Sequence, residues 1–324
     1  MTAVLFTCAG QRVDIVTAFG RAGAETVAAD LNPLAPALYA ADRHFLAPRI
    51  DDPGYVPALA EAARRHGVQL LVPLTDLDMT ILAQQRGELG ELGALALLPG
   101  PDVAERTNDK YETHLFLQEC GIGSPPAWFP EELPSELPFP VLVKARRGFG
   151  SRNIFRAENL EELEFFLART PADSFVQEVC AGEEFSMDVF CDLEGRCLNS
   201  IPRTMIESKG GESIKGMTIA DDELVALGRD VSEAIGVVGP ATVQCFRARP
   251  GDCRVTDVNL RFGGAFPLPL AAGSDYPALA LALARGEQPE PRVGEFRAGV
   301  VMTRFFSETC LVRGEDGVLS RLSQ

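Results

Sequence analysis

Apolar runs alternate with amphipathic stretches through the first part of the chain. In order, the strand-like and helix-like segments read AVLFTCAG, QRVDIVTAFGRAG, ETVAAD, ALAEAARRHG, VQLLVPLTD and LALLPG. Strand, helix and strand in repeated order predict parallel strands that are joined by crossover helices. The sequence therefore predicts a small doubly wound α/β domain over residues 1–100.

The turn after the first predicted strand tests whether this domain binds a dinucleotide. It reads Cys8-Ala9-Gly10-Gln11-Arg12 and lacks the G-x-G-x-x-G pattern that lets the backbone approach a pyrophosphate. Asp30 ends the second predicted strand, where an acid can bind a ribose, but an Asp in that place also commonly caps a helix. The sequence therefore gives little support to dinucleotide binding.

The pattern changes after residue 101. DVAERTNDKYETHLFLQECG predicts a helical stretch, with Asn108 or Asp109 as a candidate cap. A proline-rich segment and then a series of strands with short turns follow. The last of these strands form a predicted hairpin, PATVQCFRARPGDCRVTDVNL, which turns at RPGD. The second part is predicted to be a mixed, mostly antiparallel α+β structure.

Composition narrows the class of protein. The chain has 324 residues, of which 46% are hydrophobic and 23% charged, as in ordinary soluble globular proteins. The net charge of −16 argues against nucleic acid or an anionic membrane as the main partner. Eight cysteines without a C-x-x-C pair, and only three histidines, argue against a zinc site.

The location of the protein is also predicted from the sequence. No apolar run reaches the roughly 20 residues that a membrane helix needs. The N-terminus lacks the basic and long apolar regions of a signal peptide. We therefore expect a cytoplasmic protein with reduced thiols.

The segment VLVKARRGFGSRN is the first candidate for chemistry. Lys144 ends an apolar strand, and Gly148, Gly150 and Ser151 lie in the basic loop that follows. Glycines let a loop lie close to a polyphosphate, and a lysine on the preceding strand can reach phosphate oxygens. A solvated hairpin turn with basic flanks explains the same residues.

The segment FVQEVCAGEEF is the second candidate. Glu178 ends a predicted strand, Val179 follows it, and Glu184 lies at the start of the next strand. A carboxylate and neighbouring backbone groups at such a linker can bind an adenine edge, and a second acid can bind ribose hydroxyls. A charged hairpin rim is the alternative.

The predicted hairpin carries the third candidate. Asp257 and Asn259 are two residues apart and share a face, Arg261 follows on that face, and Gln244 lies on the partner strand. Carboxylate and amide oxygens suit Mg²⁺, and a guanidinium can bind a carboxylate or a phosphoryl group. The polar outer face of an edge strand fits the same alternation.

In this order along the chain, the three segments resemble the ATP-grasp superfamily, and within it the carbamoyl-phosphate-synthase-large-subunit-like proteins. The resemblance covers essentially the whole chain and implies a single ATP-grasp unit. It implies a pre-ATP-grasp domain over residues 1–100, a small lobe over 101–176 and a C-terminal lobe with the metal site over 177–324.

The resemblance also implies roles for individual residues. The nucleotide phosphates would be bound by Lys110, Lys144 and the glycine loop with Gly148, Gly150 and Ser151. Adenine and ribose would be bound by Glu178, the Val179 backbone and Glu184. Metal ligands would be Gln244, Asp257 and Asn259. Catalytic contacts would come from Arg261, which faces the acyl phosphate, and from Lys209, in a segment (208–216) where related enzymes keep a mobile loop.

Two residues depart from the family pattern. The family commonly has Glu at the position of Asp257, which is one methylene shorter, and often an acid at the position of Gln244. Both departures bear on how strongly the site binds its metal. Substrate specificity is expected at the strand ends near Gly10–Arg12 and Thr75–Asp76, where Arg12 either reads a carboxylate or is solvated and Asp76 can be a cap.

The reaction that the resemblance implies is an ATP-dependent carboxylate–amine ligation. ATP with Mg²⁺, or Mn²⁺, would phosphorylate a substrate carboxylate, and an amine would then displace phosphate from the acyl phosphate. The alternatives are phosphorylation of bicarbonate or a carbamate, and an ATP-binding regulatory module without ligation. The partners would be small molecules, and a homodimer is expected by analogy with relatives.

Overall fold

The first sheet of the computed structural model is entirely parallel. The structure describes residues 1–90, 93–148, 154–209 and 212–322. Within these ranges the strand order of the first sheet is β3-β2-β1-β4-β5. Its strands are β1 (Thr2–Thr7), β2 (Ala24–Asp30), β3 (Arg43–Leu46), β4 (Val68–Pro73) and β5 (Leu95–Ala96). The helices beside them are α1 (Val13–Arg21), α2 (Tyr55–His66), α3 (Met79–Gln84) and α4 (Arg86–Gly90).

Apolar side chains of β1 alternate between the two faces of this sheet. Phe6 packs edge-to-face on Phe19 of α1, with ring centroids 5.1 Å apart. Leu5 points to the other face, into the cluster that contains Leu59 of α2. Because both faces are covered by helices, the predicted doubly wound arrangement is confirmed.

The second sheet is antiparallel and belongs to the segment with the glycine loop. Its order is β6-β9-β7-β8. Its strands are β6 (Ala127–Trp128), β7 (Val141–Lys144), β8 (Ile154–Ala157) and β9 (Phe175–Glu178). The helices of this segment are α5 (Pro101–Asn108), α6 (Lys110–Glu119) and α7 (Leu160–Leu167).

The helical stretch predicted near residue 109 is interrupted there. Asp109 is extended, with φ −105° and ψ 108°, and its side chain accepts hydrogen bonds from the backbone N–H groups of Tyr111 and Glu112. An N-cap of this kind supplies partners for donors that a continuous helix would pair internally. The break makes Lys110 the first residue of α6.

The third sheet is a larger antiparallel one, with order β14-β13-β10-β11-β12-β15. Its strands are β10 (Glu183–Cys191), β11 (Cys197–Lys209), β12 (Glu212–Thr218), β13 (Gly239–Arg247), β14 (Cys253–Asn259) and β15 (Val301–Thr303). Its helices are α8 (Asp222–Ile235), α9 (Pro267–Ala271) and α10 (Tyr276–Ala284). A final hairpin consists of β16 (Leu311–Arg313) and β17 (Leu319–Arg321). The predicted α+β character of the second part is confirmed.

Strands occupy the described part of a segment where a loop was expected, namely residues 208–209 and 212–216. The family resemblance places a loop over residues 208–216, but β11 continues to Lys209 and β12 starts at Glu212, and these two residues pair across the ladder. Pairing satisfies backbone groups that a loop would leave to solvent. The Lys209 side chain lies outside the described part of the structure, so its catalytic role stays a prediction. No helix in the described ranges is both long and apolar enough to cross a membrane.

Candidate functional site

An ion pair between α6 and β14 lies at the centre of the site. The Lys110 Nζ atom lies 2.9 Å from each carboxylate oxygen of Asp257, and the two side chains are 18% and 29% exposed. Burial alone would raise the pKa of the Asp257 carboxyl, but the charge and hydrogen bonds of Lys110 hold that pKa below its ordinary value. The carboxylate is therefore ionised and available to a cation at neutral pH.

The amide side chains of the predicted metal trio connect this ion pair to the rest of the sheet. Gln244 lies on the partner strand, as predicted, and directly opposite Asp257 in the β13–β14 ladder. The Gln244 amide donates to Glu184 at 3.2 Å, and the Asn259 amide donates to the Gln244 carbonyl oxygen at 3.4 Å. Burial raises the pKa of the Glu184 carboxyl. The structure thus brings together all three predicted ligands and the predicted ribose acid.

Arg261 extends the network to the first sheet. Its Nε atom donates to the Asp76 carboxylate at 3.2 Å, and its Nη2 atom donates to the Asn259 carbonyl oxygen at 3.3 Å. Asp76 follows β4, so the ion pair crosses from the end of a parallel strand to the end of β14. The expectation that Asp76 caps a helix is wrong, because its carboxylate pairs with Arg261 instead.

An open cleft, with about 380 Å³ of space between protein atoms, lies along this network. Its walls come from the first sheet, from α5 and α6, from the glycine loop and from β14; they include Asp76, Asn108, Lys110, Gly148, Asp257 and Asn259. Gly148 has φ +149°, a region that favours glycine. Its position on the wall agrees with the expectation that the loop lies close to a ligand.

Lys144 is the second cation of the site. It ends β7, as predicted, and its Nζ atom donates to the Gln177 side-chain oxygen at 2.6 Å in a buried position. Burial lowers the pKa of Lys144 to about 8. Sequence reasoning missed Gln177, although a polar residue that follows the apolar pair Phe175 and Val176 on β9 is a signal that could have found it.

Of the remaining residues predicted to contact the nucleotide, the structure describes Glu178 and Val179. Glu178 is the last residue of β9, and its N–H group donates to the Pro126 carbonyl at 2.9 Å. Val179 follows it in the linker toward β10. Gly150 and Ser151 lie outside the described residues, so their contact with phosphate stays a prediction.

Two residues of the first sheet have structural partners that the sequence did not indicate. Arg12 is neither solvated nor directed at a substrate carboxylate: it is buried and donates to the Phe262 carbonyl at 3.1 Å and the Gly263 carbonyl at 2.8 Å. Asp30 accepts a hydrogen bond of 2.7 Å from the Gly10 N–H group. Asp30 therefore stabilises the turn after β1, and Arg12 connects that turn to the segment after β14.

The side chains of Gln244, Asp257 and Asn259 fit Mg²⁺ in the type of ligand that they offer, but not in number. One carboxylate and two amide oxygens are hard ligands of the type that Mg²⁺ accepts, but they are too few to complete its octahedral shell. In the described ranges, no three His, Cys, Asp or Glu side chains cluster as a metal site. The trio therefore fits an ion that arrives with phosphate oxygens and water, provided that Lys110 releases an oxygen of Asp257.

Two family models match the chain. A model described as the N-terminal domain of PylC-like proteins matches residues 4–97. A model described as ATP-grasp in the biosynthetic pathway with Ter operon matches residues 170–305. The first match coincides with the parallel sheet, and the second includes β9, β10 and the hairpin with Gln244, Asp257 and Asn259.

A curated relative and two solved structures are similar to the chain. The carbamoyl phosphate synthase large chain of Pyrococcus furiosus is 26% identical over 52% of this chain, which spans only 18% of that protein. An N5-carboxyaminoimidazole synthetase from Staphylococcus aureus, complexed with ADP, has a TM-score of 0.76 at 16% identity, with 94% of this chain and 82% of that one covered.

The second structure is an L-amino acid ligase from Bacillus licheniformis. It has a TM-score of 0.71 at 19% identity and covers 93% of this chain and 78% of its own. The two structures establish the fold, and the two family models assign its parts along the sequence. Residues 4–97 therefore match a PylC-like N-terminal domain, and residues 170–305 match an ATP-grasp family.

Proposed function

We propose that the protein is an ATP-dependent carboxylate–amine ligase that forms an acyl phosphate and releases ADP and phosphate. The observation that carries this proposal is the Lys110–Asp257 pair in the cleft, next to a chain of hydrogen bonds that runs from Glu184 through Gln244 and Asn259 to Arg261. These side chains combine cations for phosphate with oxygen ligands for a metal. The two similar structures, a synthetase complexed with ADP and a ligase, support the same class of reaction.

The nucleotide is proposed to lie between the second and third sheets. Lys144 and Lys110 would bind its phosphates, together with the loop at Gly148, Gly150 and Ser151. Glu178 and the Val179 backbone would bind the adenine edge. Glu184 would accept hydrogen bonds from the ribose hydroxyls. Its hydrogen bond from Gln244 holds the carboxylate beside the metal trio, which would connect ribose binding to metal binding.

When bound, Mg²⁺ would supply charge neutralisation at the phosphates. Gln244, Asp257 and Asn259 would hold it. Lys110 bonds both oxygens of Asp257 in the protein alone, so nucleotide binding requires that this lysine turn toward phosphate. Mg²⁺ would then replace Lys110 as the positive partner of the Asp257 carboxylate.

Arg261 is proposed to face the acyl phosphate. A substrate carboxylate oxygen attacks the γ-phosphorus, and the bond from that phosphorus to the ADP oxygen breaks. The amine then attacks the carbonyl carbon, the carbon–oxygen bond to phosphate breaks, and the amine loses a proton to solvent. The side chains contribute position and positive charge throughout, and no covalent enzyme intermediate is required.

The proposed organisation has a pre-ATP-grasp domain over residues 1–100, a small lobe over 101–176 and a C-terminal lobe over 177–324. The substrates are small molecules, and the protein is proposed to act as a homodimer. Lys209 is proposed as an additional contact to phosphate or substrate.

Isothermal titration with Mg·ATP and an assay of ADP release test the function. We expect Mg·ATP to bind, and ADP to be released only when a carboxylic acid and an amine are both present. Asp257→Asn removes the charged metal ligand and should reduce ADP release at least about a hundredfold, as losses of charge-stabilising groups do. Asp51→Asn is the control, because Asp51 pairs with Arg49 on the surface, with both side chains at least 70% exposed.

Two other outcomes would replace this proposal. ADP release that requires bicarbonate and no organic acid would identify phosphorylation of bicarbonate or a carbamate. Tight binding of Mg·ATP without turnover across a broad acid and amine panel would identify a nucleotide-responsive regulatory module.

A further inference from the structure

An acid and an arginine of opposite charge face each other beside the cleft. Asp76 and Arg261 are 3.2 Å apart, and their side chains are 30% and 24% exposed. Asp76 also lines the cleft that Asp257 and Asn259 line. A negative charge therefore lies directly beside the arginine that is proposed to bind the acyl group, and the following inference rests on that proposed function.

The connection between the two parts of the protein does not depend on this ion pair. Arg12 already joins the turn after β1 to the Phe262 and Gly263 carbonyls through two buried hydrogen bonds. A partly exposed ion pair such as Asp76–Arg261 adds only about 0–1 kcal/mol of stability. The carboxylate of Asp76 is thus available for exchange between Arg261 and a ligand.

A substrate carboxylate at Arg261 has to compete with Asp76. A simple carboxylic acid would displace Asp76 from its partner and leave two negative groups close together without compensation. The cation on the same wall, Lys110, is held by both oxygens of Asp257 and is needed at the phosphates. A substrate with a positive charge next to its carboxylate avoids this repulsion, because its cation can pair with Asp76.

We propose that Asp76 binds the ammonium group of a substrate whose carboxylate lies at Arg261. Asp76 is then a specificity-determining residue, and the activated substrate is an amino acid. Acids without an amine are rejected by the unpaired charge of Asp76 rather than by a difference in shape.

Binding titrations of the full chain with Mg·AMP-PNP test this inference without turnover. The probes are pairs that differ in the α-amine: L-alanine and propionate, L-aspartate and succinate, L-glutamate and glutarate, L-lysine and 6-aminohexanoate, L-phenylalanine and 3-phenylpropionate. We expect at least one amino acid to bind at least about tenfold more tightly than its partner, the effect of one charge-assisted contact. No preference in any pair overturns the inference.

Asp76→Asn tests the residue itself. It keeps the shape of the side chain and removes its charge, so the preference within the responsive pair should fall to about one. Asp51→Asn should keep the wild-type preference. If Asp76→Asn weakens both members of the pair equally, Asp76 has a structural role and the inference is wrong.

The two proposals fail in different ways. ADP release with plain acids, together with no preference in the titrations, would leave the ligase function intact and overturn the role of Asp76. Selective amino acid binding without ADP release would support Asp76 as the determinant and overturn ligation.

Discussion

The contact between the first sheet and the segment after β14 is built differently at its two ends. At one end, Arg12 donates to the backbone carbonyls of Phe262 and Gly263, and its side chain is 11% exposed. At the other end, Arg261 donates to the side chains of Asp76 and Asn259, and its side chain is 24% exposed. Each arginine also has one contact of the other kind: Arg12 Nε donates to the Asp14 carboxylate at 3.3 Å, and Arg261 Nη1 donates to the Phe262 carbonyl at 3.2 Å. The two ends therefore differ in the balance of backbone and side-chain acceptors, with backbone carbonyls predominant at Arg12 and side chains at Arg261.

The difference separates a structural connection from an exchangeable one. Carbonyl acceptors belong to the backbone and stay where the fold places them, so Arg12 has a fixed geometry. Carboxylate and amide acceptors on side chains can turn toward a metal or a substrate. The same contact can therefore hold the cleft together at Arg12 and respond to ligands at Arg261.

Replacement of Arg12 is the strongest test of this difference. Arg12→Ala removes two charged hydrogen bonds to buried carbonyls, so we expect the free energy of unfolding to fall by about 3 kcal/mol. Urea unfolding of the wild type and the variant measures the change. Arg261→Ala, the matched control, should cost about 1 kcal/mol or less.

Arg12→Lys sharpens the result. Lysine keeps the charge but cannot span two carbonyls with a planar fork, so it should recover only part of the lost stability. Equal losses for Arg12→Ala and Arg261→Ala would show that the two ends of the contact are not distinct.

Gly263 provides the next largest effect, because it belongs to the Arg12 end. A Cβ atom there would lie 2.5 Å from the Asp188 carboxylate and 2.6 Å from the Thr242 hydroxyl. Asp188 is fixed by a buried ion pair with Arg203, at 2.8 Å, and cannot move away cheaply. Gly263→Ala should lower the free energy of unfolding by about 2 kcal/mol, as overpacking does.

Thermal unfolding followed by circular dichroism measures that loss. Gly251→Ala is unsuitable as a control because Gly251 has a positive φ. Gly87→Ala is suitable, since no atom lies within 4 Å of the added Cβ and no positive φ is found there. A Gly263→Ala variant as stable as Gly87→Ala would contradict the close packing at this site.

Local pattern was enough to predict much of this fold and site. Alternation placed Asp257 and Asn259 on one face, and the hairpin turn placed Gln244 on the partner strand. A bulge at Thr256, between the turn and this pair, brings Gln244 opposite Asp257, and the turn alone does not predict it. Lys144 was correctly predicted to end a strand, because the apolar run VLV stops at this residue. These predictions depend on neighbours in sequence, where period and turn chemistry are decisive.

The contacts of Arg12 and Arg261 could not be predicted in this way. Arg12 finds its acceptors about 250 positions away, and Arg261 finds Asp76 185 positions away. Tertiary packing decides such pairs, and the pattern around an arginine does not distinguish solvent, substrate and carbonyl partners. The close approach of Gly263 to Asp188 is likewise a tertiary contact that the local pattern does not indicate.

The two lysines proposed to bind nucleotide phosphates, Lys110 and Lys144, also differ in the kind of group that they contact. Lys110 is paired with a carboxylate, but Lys144 is buried against the neutral amide of Gln177, and its pKa is lowered to about 8. Nucleotide phosphates favour the charged form of Lys144. Its affinity contribution is therefore present below pH 8 and is lost as the pH rises, so we expect Mg·ADP to bind about tenfold more weakly at pH 9.5 than at pH 7.5.

Lys144→Met should remove this pH dependence and weaken binding at pH 7.5 by about tenfold, the worth of one charge-assisted contact. Fluorescence or calorimetric titration at both pH values measures the two effects. Arg43→Met is the control, because Arg43 is an exposed cation that pairs with Glu25 on the first sheet. An unchanged pH profile in Lys144→Met would assign the dependence to another group.

The smallest effect is expected at the exchangeable end of the contact. Asp76→Asn removes a partly exposed ion pair, and the asparagine can still accept a hydrogen bond from Arg261, so the free energy of unfolding should change by less than about 1 kcal/mol. Added salt should reduce even this difference, because it screens exposed charges. Urea unfolding at low and high salt measures both. A loss as large as that of Arg12→Ala would make Asp76 part of the fixed connection, and the two ends of the contact would then be alike.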